Sequence, residues 1–153
     1  MRVEVIALIA AIAPQGCGHS REIAKEVRPE AGQVGCYAVS VESRDVGNER
    51  VYPSLPGTIE LLAERIPDGI RAGYKVRGPG RESVSADIVA AWKPGSDGSI
   101  TVFWGREFSG TELRLQPSSE GFRGTAEAIS DVPQPPKRVP AVLRRMQCAG
   151  SSG

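Results

Sequence analysis

The fold turns on Ser83-Val84-Ser85-Ala86-Asp87-Ile88-Val89-Ala90-Ala91-Trp92-Lys93, then Pro94-Gly95-Ser96-Asp97-Gly98-Ser99, then Ile100-Thr101-Val102-Phe103-Trp104-Gly105-Arg106. In the first run Val84, Ala86, Ile88, Ala90 and Trp92 share one face, while Ser83, Ser85, Asp87 and Lys93 share the other. In the last, Ile100, Val102 and Trp104 face one way against Thr101 and Phe103. A period of two is the signature of a half-buried strand; helical spacing would scatter these apolar sets around the axis. The six residues between supply a fixed proline φ and glycines free to take positive φ, which is turn chemistry. The stretch therefore reads as two antiparallel strands and their turn.

The same alternation extends both ways. Ile70, Ala72, Tyr74 and Val76 alternate with Arg71, Gly73, Lys75 and Arg77, and Leu113 and Leu115 oppose Glu112, Arg114 and Gln116. Tyr37, Val39 and Val41 oppose Cys36, Ala38 and Ser40. Residues 122–131 form a Gly- and Ala-rich strand and residues 141–148 a last one ending at Cys148. The loop 132–140 carries Pro133, Pro135, Pro136 and Pro140, which bars it from a central strand. Thr58 to Ile66 fits both periods: Ile59, Leu62, Ala63 and Ile66 are spaced as in a helix, and Ile59, Leu61 and Ala63 alternate. Pro56 and Pro67 confine it to about nine residues, a length that favours strand.

The expected fold is all-β, with strands at 36–43, 58–66, 70–77, 83–93, 100–106, 111–116, 122–131 and 141–148. Short links make sequential strands neighbours. Eight such strands can close into an antiparallel meander barrel, which removes exposed edges; an open β-sandwich is the alternative. The opposite faces carry Arg71, Lys75, Arg77, Asp87, Arg114 and Glu127, so the apolar face is expected inside, unlike the apolar outer band of an outer-membrane barrel. Closure seats the first strand antiparallel to the last, bringing Cys36 and Cys148 together. The expected disulfide would span 112 residues; two separate buried thiols are the alternative.

A third cysteine bears on the protein's address. Val5 to Ala13 is nine uninterrupted apolar residues, too short to span a bilayer and right for the core of a signal peptide. Its flank is weakly basic, with Glu4 offsetting Arg2, and a misplaced start is one explanation. Cleavage after Ala13 would have to precede Pro14; cleavage after Gly16 would expose Cys17 for lipidation; cleavage after Gly18 would remove Cys17. The middle reading resolves the odd cysteine count, since a lipidated Cys17 leaves Cys36 and Cys148 to pair. The organisation is then a signal peptide at 1–16, a tether at 17–33, a β-barrel domain at 34–149 and a flexible tail at 150–153. The location is the cell envelope, either periplasmic or held on a membrane surface by a lipid anchor.

Composition narrows the function. With 19 Lys and Arg against 18 Asp and Glu, the formal charge is +1, which argues against a nucleic-acid partner. An apolar share of 40% is that of a folded chain, and 18 Gly with 12 Pro without a collagen period predict many turns. The one histidine, His19, lies in the tether, so no Ser-His-Asp or Cys-His set can be assembled, and no Cys-x-x-Cys pair suggests zinc. Glu107, Glu112 and Asp131 could in principle serve hydrolysis, but acidic residues at exposed turns are ordinary in a chain this acidic. Gly78-Pro79-Gly80 lacks the Lys-Ser/Thr of a phosphate loop. Neither an enzyme nor a cofactor is expected.

Gly35-Cys36-Tyr37 at the first strand, with Arg144 or Arg145 on the last, resembles the lipocalin (calycin) superfamily, whose barrel opens with Gly-x-Trp and carries a basic residue on its closing strand; Tyr37 stands where that family has Trp. Together with Trp92-Lys93-Pro94, Trp104 before Ser109-Gly110, and Cys148, the pattern over 34–148 also resembles small exported β-rich proteins of environmental bacteria. The resemblance implies fold and export. An arginine on the closing strand would clamp an anion or close the barrel floor by hydrogen bonds, and the floor is the favoured reading. Ala72, Ala86 and Ala90 are small on the expected inner face. They either leave a cavity for a small hydrophobic ligand or make room for large neighbours. Tyr74, Ala86, Ala90, Trp92 and Trp104 are the candidate ligand-lining residues. The competing function is a structural or protein-interaction module of the envelope with a filled core.

Overall fold

The computed structural model describes residues 27–42, 55–66, 71–78, 88–106, 109–131 and 138–149. Eight antiparallel strands close into a barrel in chain order: β1 Gly35–Val41, β2 Thr58–Ile66, β3 Gly73–Arg77, β4 Val89–Pro94, β5 Ile100–Gly105, β6 Gly110–Ser118, β7 Gly121–Ile129 and β8 Arg138–Met146. Among the described residues there is no helix. The meander closes by β1 pairing β8 from Cys36↔Met146 to Val41↔Ala141, so the open sandwich is excluded. Cys148 lies two residues past that ladder and is bonded to Cys36, with Cα atoms 5.2 Å apart.

The alternation places the core. Tyr37, Ile59, Leu61, Tyr74, Val76, Trp92, Ile100, Val102, Trp104, Leu113, Leu115, Phe122, Ala126, Val139, Ala141 and Leu143 form one buried cluster inside the wall. Burying such apolar area is the main driving force for folding. Across the outer face, ion pairs bridge neighbouring strands, as between Arg77 and Glu60 at 3.1 Å and between Arg138 and Glu127 at 2.9 Å. Phe103, like its β4 partner Ala91, is an outward exception. It is nearly buried, with the Arg71 guanidinium 3.9 Å from its ring centroid.

One irregularity within an expected strand, and two local differences from the sequence reading, have physical causes. β2 is a strand, and its mixed period reflects an irregular ladder. From Leu61↔Val76 to Arg65↔Tyr74 it advances four residues while β3 advances two. The extra residues upset the pairing, as in a bulge, and the Leu62 carbonyl accepts instead from Trp92 Nε1 at 2.9 Å.

Pro140, expected in a loop, lies within β8 opposite Thr125 of β7. Its carbonyl accepts from Glu42 N at 3.1 Å, so its main-chain edge faces β1, just past where that strand ends. The missing proline N–H therefore costs little of the ladder. β6 likewise runs through Pro117 to Ser118, because β5 pairs β6 only as far as Ile100↔Leu115. Beyond that point β6 keeps only its β7 partner. The expected strand at 83–93 is described from residue 88 onward, and its earlier half lies outside the described residues.

Candidate functional site

The two ends of the barrel differ. At one end, which we call the base, the segment 30–34 crosses beneath the strands, although residues through 33 read as tether. Gln33 is 4% exposed. Its Oε1 accepts from Glu30 N at 2.9 Å, and its Nε2 donates to the Gly98 carbonyl in the β4–β5 turn at 3.1 Å. A buried amide with both ends satisfied acts as a specific plug.

Arg145 completes this closure. It is the β8 partner of Tyr37, and its Nη1 and Nη2 donate to the carbonyls of Gly32 (2.5 Å) and Val34 (2.8 Å). The Tyr37 hydroxyl donates to the Gln33 carbonyl at 2.9 Å. Gly35 has φ +139°, and a Cβ there would lie 3.2 Å from Arg145 Nη2, so glycine admits the guanidinium. Burial pushes the Tyr37 phenol above its ordinary pKa, against a lowering pull from the Arg145 charge. Of the two arginines proposed for this role, Arg145 takes it. Arg144 points outward and pairs with Glu120 at 3.0 Å. A cleft of about 370 Å3 beneath the base, lined by Glu30, Gln33, Pro117, Glu120 and Arg145 among others, is an outer feature of the plug.

The candidate lining residues divide between base and opposite end. Trp92 is fully buried, its indole N–H is spent on Leu62, and its ring is tilted against Tyr74 with centroids 5.6 Å apart. Trp92 and Tyr74 thus pack the lower barrel. Ala90 and Trp104 are cross-strand partners nearer the opposite end. A Cβ on Gly78 would lie 3.0 Å from the tip of the Trp104 ring, so the indole leans from β5 toward the end of β3. Ala90, on the strand between, is small enough to be overlain. Ala86 lies outside the described residues, as does Cys17.

At this opposite end the inward side chains are less completely covered. Val41, Ile88 and Ala90 are half-buried against the core, whereas Tyr37, Leu61, Trp92 and Leu143 are fully buried. Thr111, which the sequence reading passed over, faces inward opposite Trp104. Its signal was available: it shares the parity of Leu113 and Leu115.

Other candidate chemistry is otherwise engaged. The sulfurs of Cys36 and Cys148 and the Glu60 carboxylate lie within 4.8 Å of one another, but the sulfurs are bonded together and Glu60 pairs with Arg77. Glu112 is held by Arg114 Nε at 2.7 Å, and Asp131 accepts from Ser130 Oγ at 3.4 Å. Glu107 and His19 lie outside the described residues. No family model, curated protein or solved structure matches the chain significantly.

Proposed function

We propose that this chain is an exported, lipid-anchored β-barrel that holds a small hydrophobic ligand in its interior and carries out no chemistry on it. The asymmetry of the barrel carries the reading. One end is plugged by Gln33 and Arg145, while at the other the inward wall is apolar and half-covered at Val41, Ile88 and Ala90. A wall of that kind favours apolar molecules, with a few polar groups to fix orientation. The Cys36–Cys148 bond suits an oxidising compartment. Cys17, the remaining cysteine, follows an apolar run of signal-peptide length and becomes the site of the anchor.

The second reading, a structural or protein-interaction module of the envelope, is favoured by the filled lower half around Trp92, Tyr37 and Leu61. Titration with an uncharged naphthylamine dye separates the two. Saturable binding at one internal site, competed by apolar molecules, supports the ligand-holding reading; absence of saturable binding leaves the structural module. The intact mass of the mature protein extracted from membranes tests the anchor. A mass starting at Cys17 with acyl groups is expected, and a mass starting elsewhere without them rejects lipidation.

A further inference from the structure

Cys36, Glu60 and Cys148 meet on the outer face of the barrel at its seam. Cys36 and Glu60 are direct cross-strand partners in β1 and β2, and Cys148 follows β8, the strand on the other side of β1. Both sulfurs and a Glu60 carboxylate oxygen lie within 4.8 Å of one another, and all three residues are half-buried. Among the described residues no other three cysteine, histidine or acidic side chains are placed to share one ion. The chain does not announce this group, because positions 36, 60 and 148 match no metal-ligand spacing.

We infer that, with the disulfide open, the two thiolates and the Glu60 carboxylate form a binding site for one zinc ion, which disulfide formation expels. Every chain is synthesised with free thiols, so the open form precedes the closed one. The ladders Gly35↔Leu61 to Ala38↔Thr58 and Cys36↔Met146 to Val41↔Ala141 hold the three residues side by side without help from the S–S bond. Two thiolates bound to a tetrahedral zinc stand about 3.8 Å apart, a separation that side-chain rotation supplies while the backbone stays in place. Two sulfurs and one carboxylate oxygen suit a borderline-soft divalent ion, with water in the fourth position. Arg77 Nη1 donates to Glu60 Oε2 at 3.1 Å, which leaves Oε1 for the metal and orients it, as ligating carboxylates are commonly oriented. The charges balance: three anionic ligands stand against Zn2+ and the Arg77 guanidinium.

The change to the closed form is thiol–disulfide exchange. One cysteine thiolate attacks a disulfide of the glutathione class and releases one glutathione thiolate, and the second cysteine thiolate then displaces the other. The two cysteines give up two electrons, the reagent takes them, and the zinc leaves because no thiolate remains to hold it. The site lies on the outer wall, so it stands apart from any ligand held in the interior.

The test is zinc binding to the full chain in a Cys17→Ser background, where only Cys36 and Cys148 offer thiols. Reduced by a phosphine, the protein is expected to take one Zn2+ in competition with a chromophoric chelator, and the oxidised protein none. Glu60→Gln should weaken binding at least roughly ten-fold. Glu64→Gln, which breaks an ion pair with Lys75 on the same strand but outside the group, should leave it unchanged. Glutathione disulfide should release the zinc as it closes the bond. If reduction unfolds the barrel, zinc added to the reduced chain should restore its native circular dichroism, since site and fold then form together.

Binding equally tight in Glu60→Gln, or no tighter in the reduced protein than in its Cys36→Ser, Cys148→Ser variant, overturns the proposal. So does an unfolded reduced chain that zinc fails to refold.

Discussion

Tyr37 and Arg145 face each other across the seam where the first and last strands close the barrel, and both end on the same crossing segment. The tyrosine hydroxyl is bonded to the Gln33 carbonyl, and the guanidinium to those of Gly32 and Val34. The guanidinium carbon lies 5.8 Å from the Tyr37 ring centroid. The pair fastens the segment 30–34 to the seam, so the stability of the barrel and the closure of its base are one property.

Replacing Arg145 should therefore loosen the base as well as lower stability. Hydrogen bonds from a charged donor contribute about 1.5–3 kcal/mol, and a lysine cannot present the planar fork that reaches two carbonyls at once. Arg145→Lys is expected to lower the urea unfolding free energy by about 1–2 kcal/mol. Faster hydrogen exchange should appear around residues 30–34. Unchanged exchange there would separate the arginine from the plug.

Tyr37 gives stability an alkaline limit. Its folded pKa is raised, so the native state holds the phenolic proton more tightly than the unfolded chain does. The contribution is complete below the ordinary value of 10.0 and is lost as pH rises through the higher folded value. Urea midpoints should fall above about pH 10 in the native protein. Tyr37→Phe should flatten that limb, at a cost of about 1 kcal/mol at neutral pH for the missing bond to Gln33.

Asp97 acts at the other extreme. Hydrogen bonds from the Ser99 hydroxyl and from Ser99 N (3.0 Å), with a further one from Gln116, hold its pKa down to about 2 from 3.8. Depression of a carboxyl pKa means stability present above the unfolded value and lost as pH falls through the folded one. An NMR titration should show the Asp97 carboxyl titrating near 2, and Asp97→Asn should remove its share of the acid-induced loss between pH 3.8 and about 2.

Opening the Cys36–Cys148 bond should be the largest single destabilisation short of the core. The bond closes a separation of 112 residues, for which loop-closure entropy gives roughly 4–5 kcal/mol. The Cys36→Ser, Cys148→Ser double variant is expected to lose about that much in urea titrations. A loss of less than about 1 kcal/mol would mean that the strand ladder alone holds the seam.

Gly121 opens β7 with φ +137°, and a Cβ there would come within 2.3 Å of the Leu143 carbonyl. Gly121→Ala should cost about 1–3 kcal/mol through backbone strain and the shift forced on β8. Circular dichroism melts will check it, with Gly32→Ala, whose Cβ would meet nothing within 4 Å, as the permissive control.

Strand count, strand faces and the identity of the inward side chains were legible in the sequence. Alternation is local: each residue's parity is written by its neighbours, and Trp92, Val102 and Leu113 fell inside as their parity required. The disulfide followed from the same logic, because a closed meander must bring the start of its first strand beside the end of its last.

What only the tertiary structure decided are the pairings between distant groups. That Gln33 leaves the tether to bond Gly98, 65 residues away, has no local signature. The irregular ladder at Leu61–Arg65 shows in the chain only as a mixed period, and its hand-over of a carbonyl to Trp92 does not show there at all. The seating of Pro140 depends on where β1 happens to end. Nor does the chain encode that the fold brings the Leu62 carbonyl to the Trp92 indole N–H. Parity fixes which way a side chain points, but a hydrogen bond needs the position of a second group, and that position exists only once the barrel is closed.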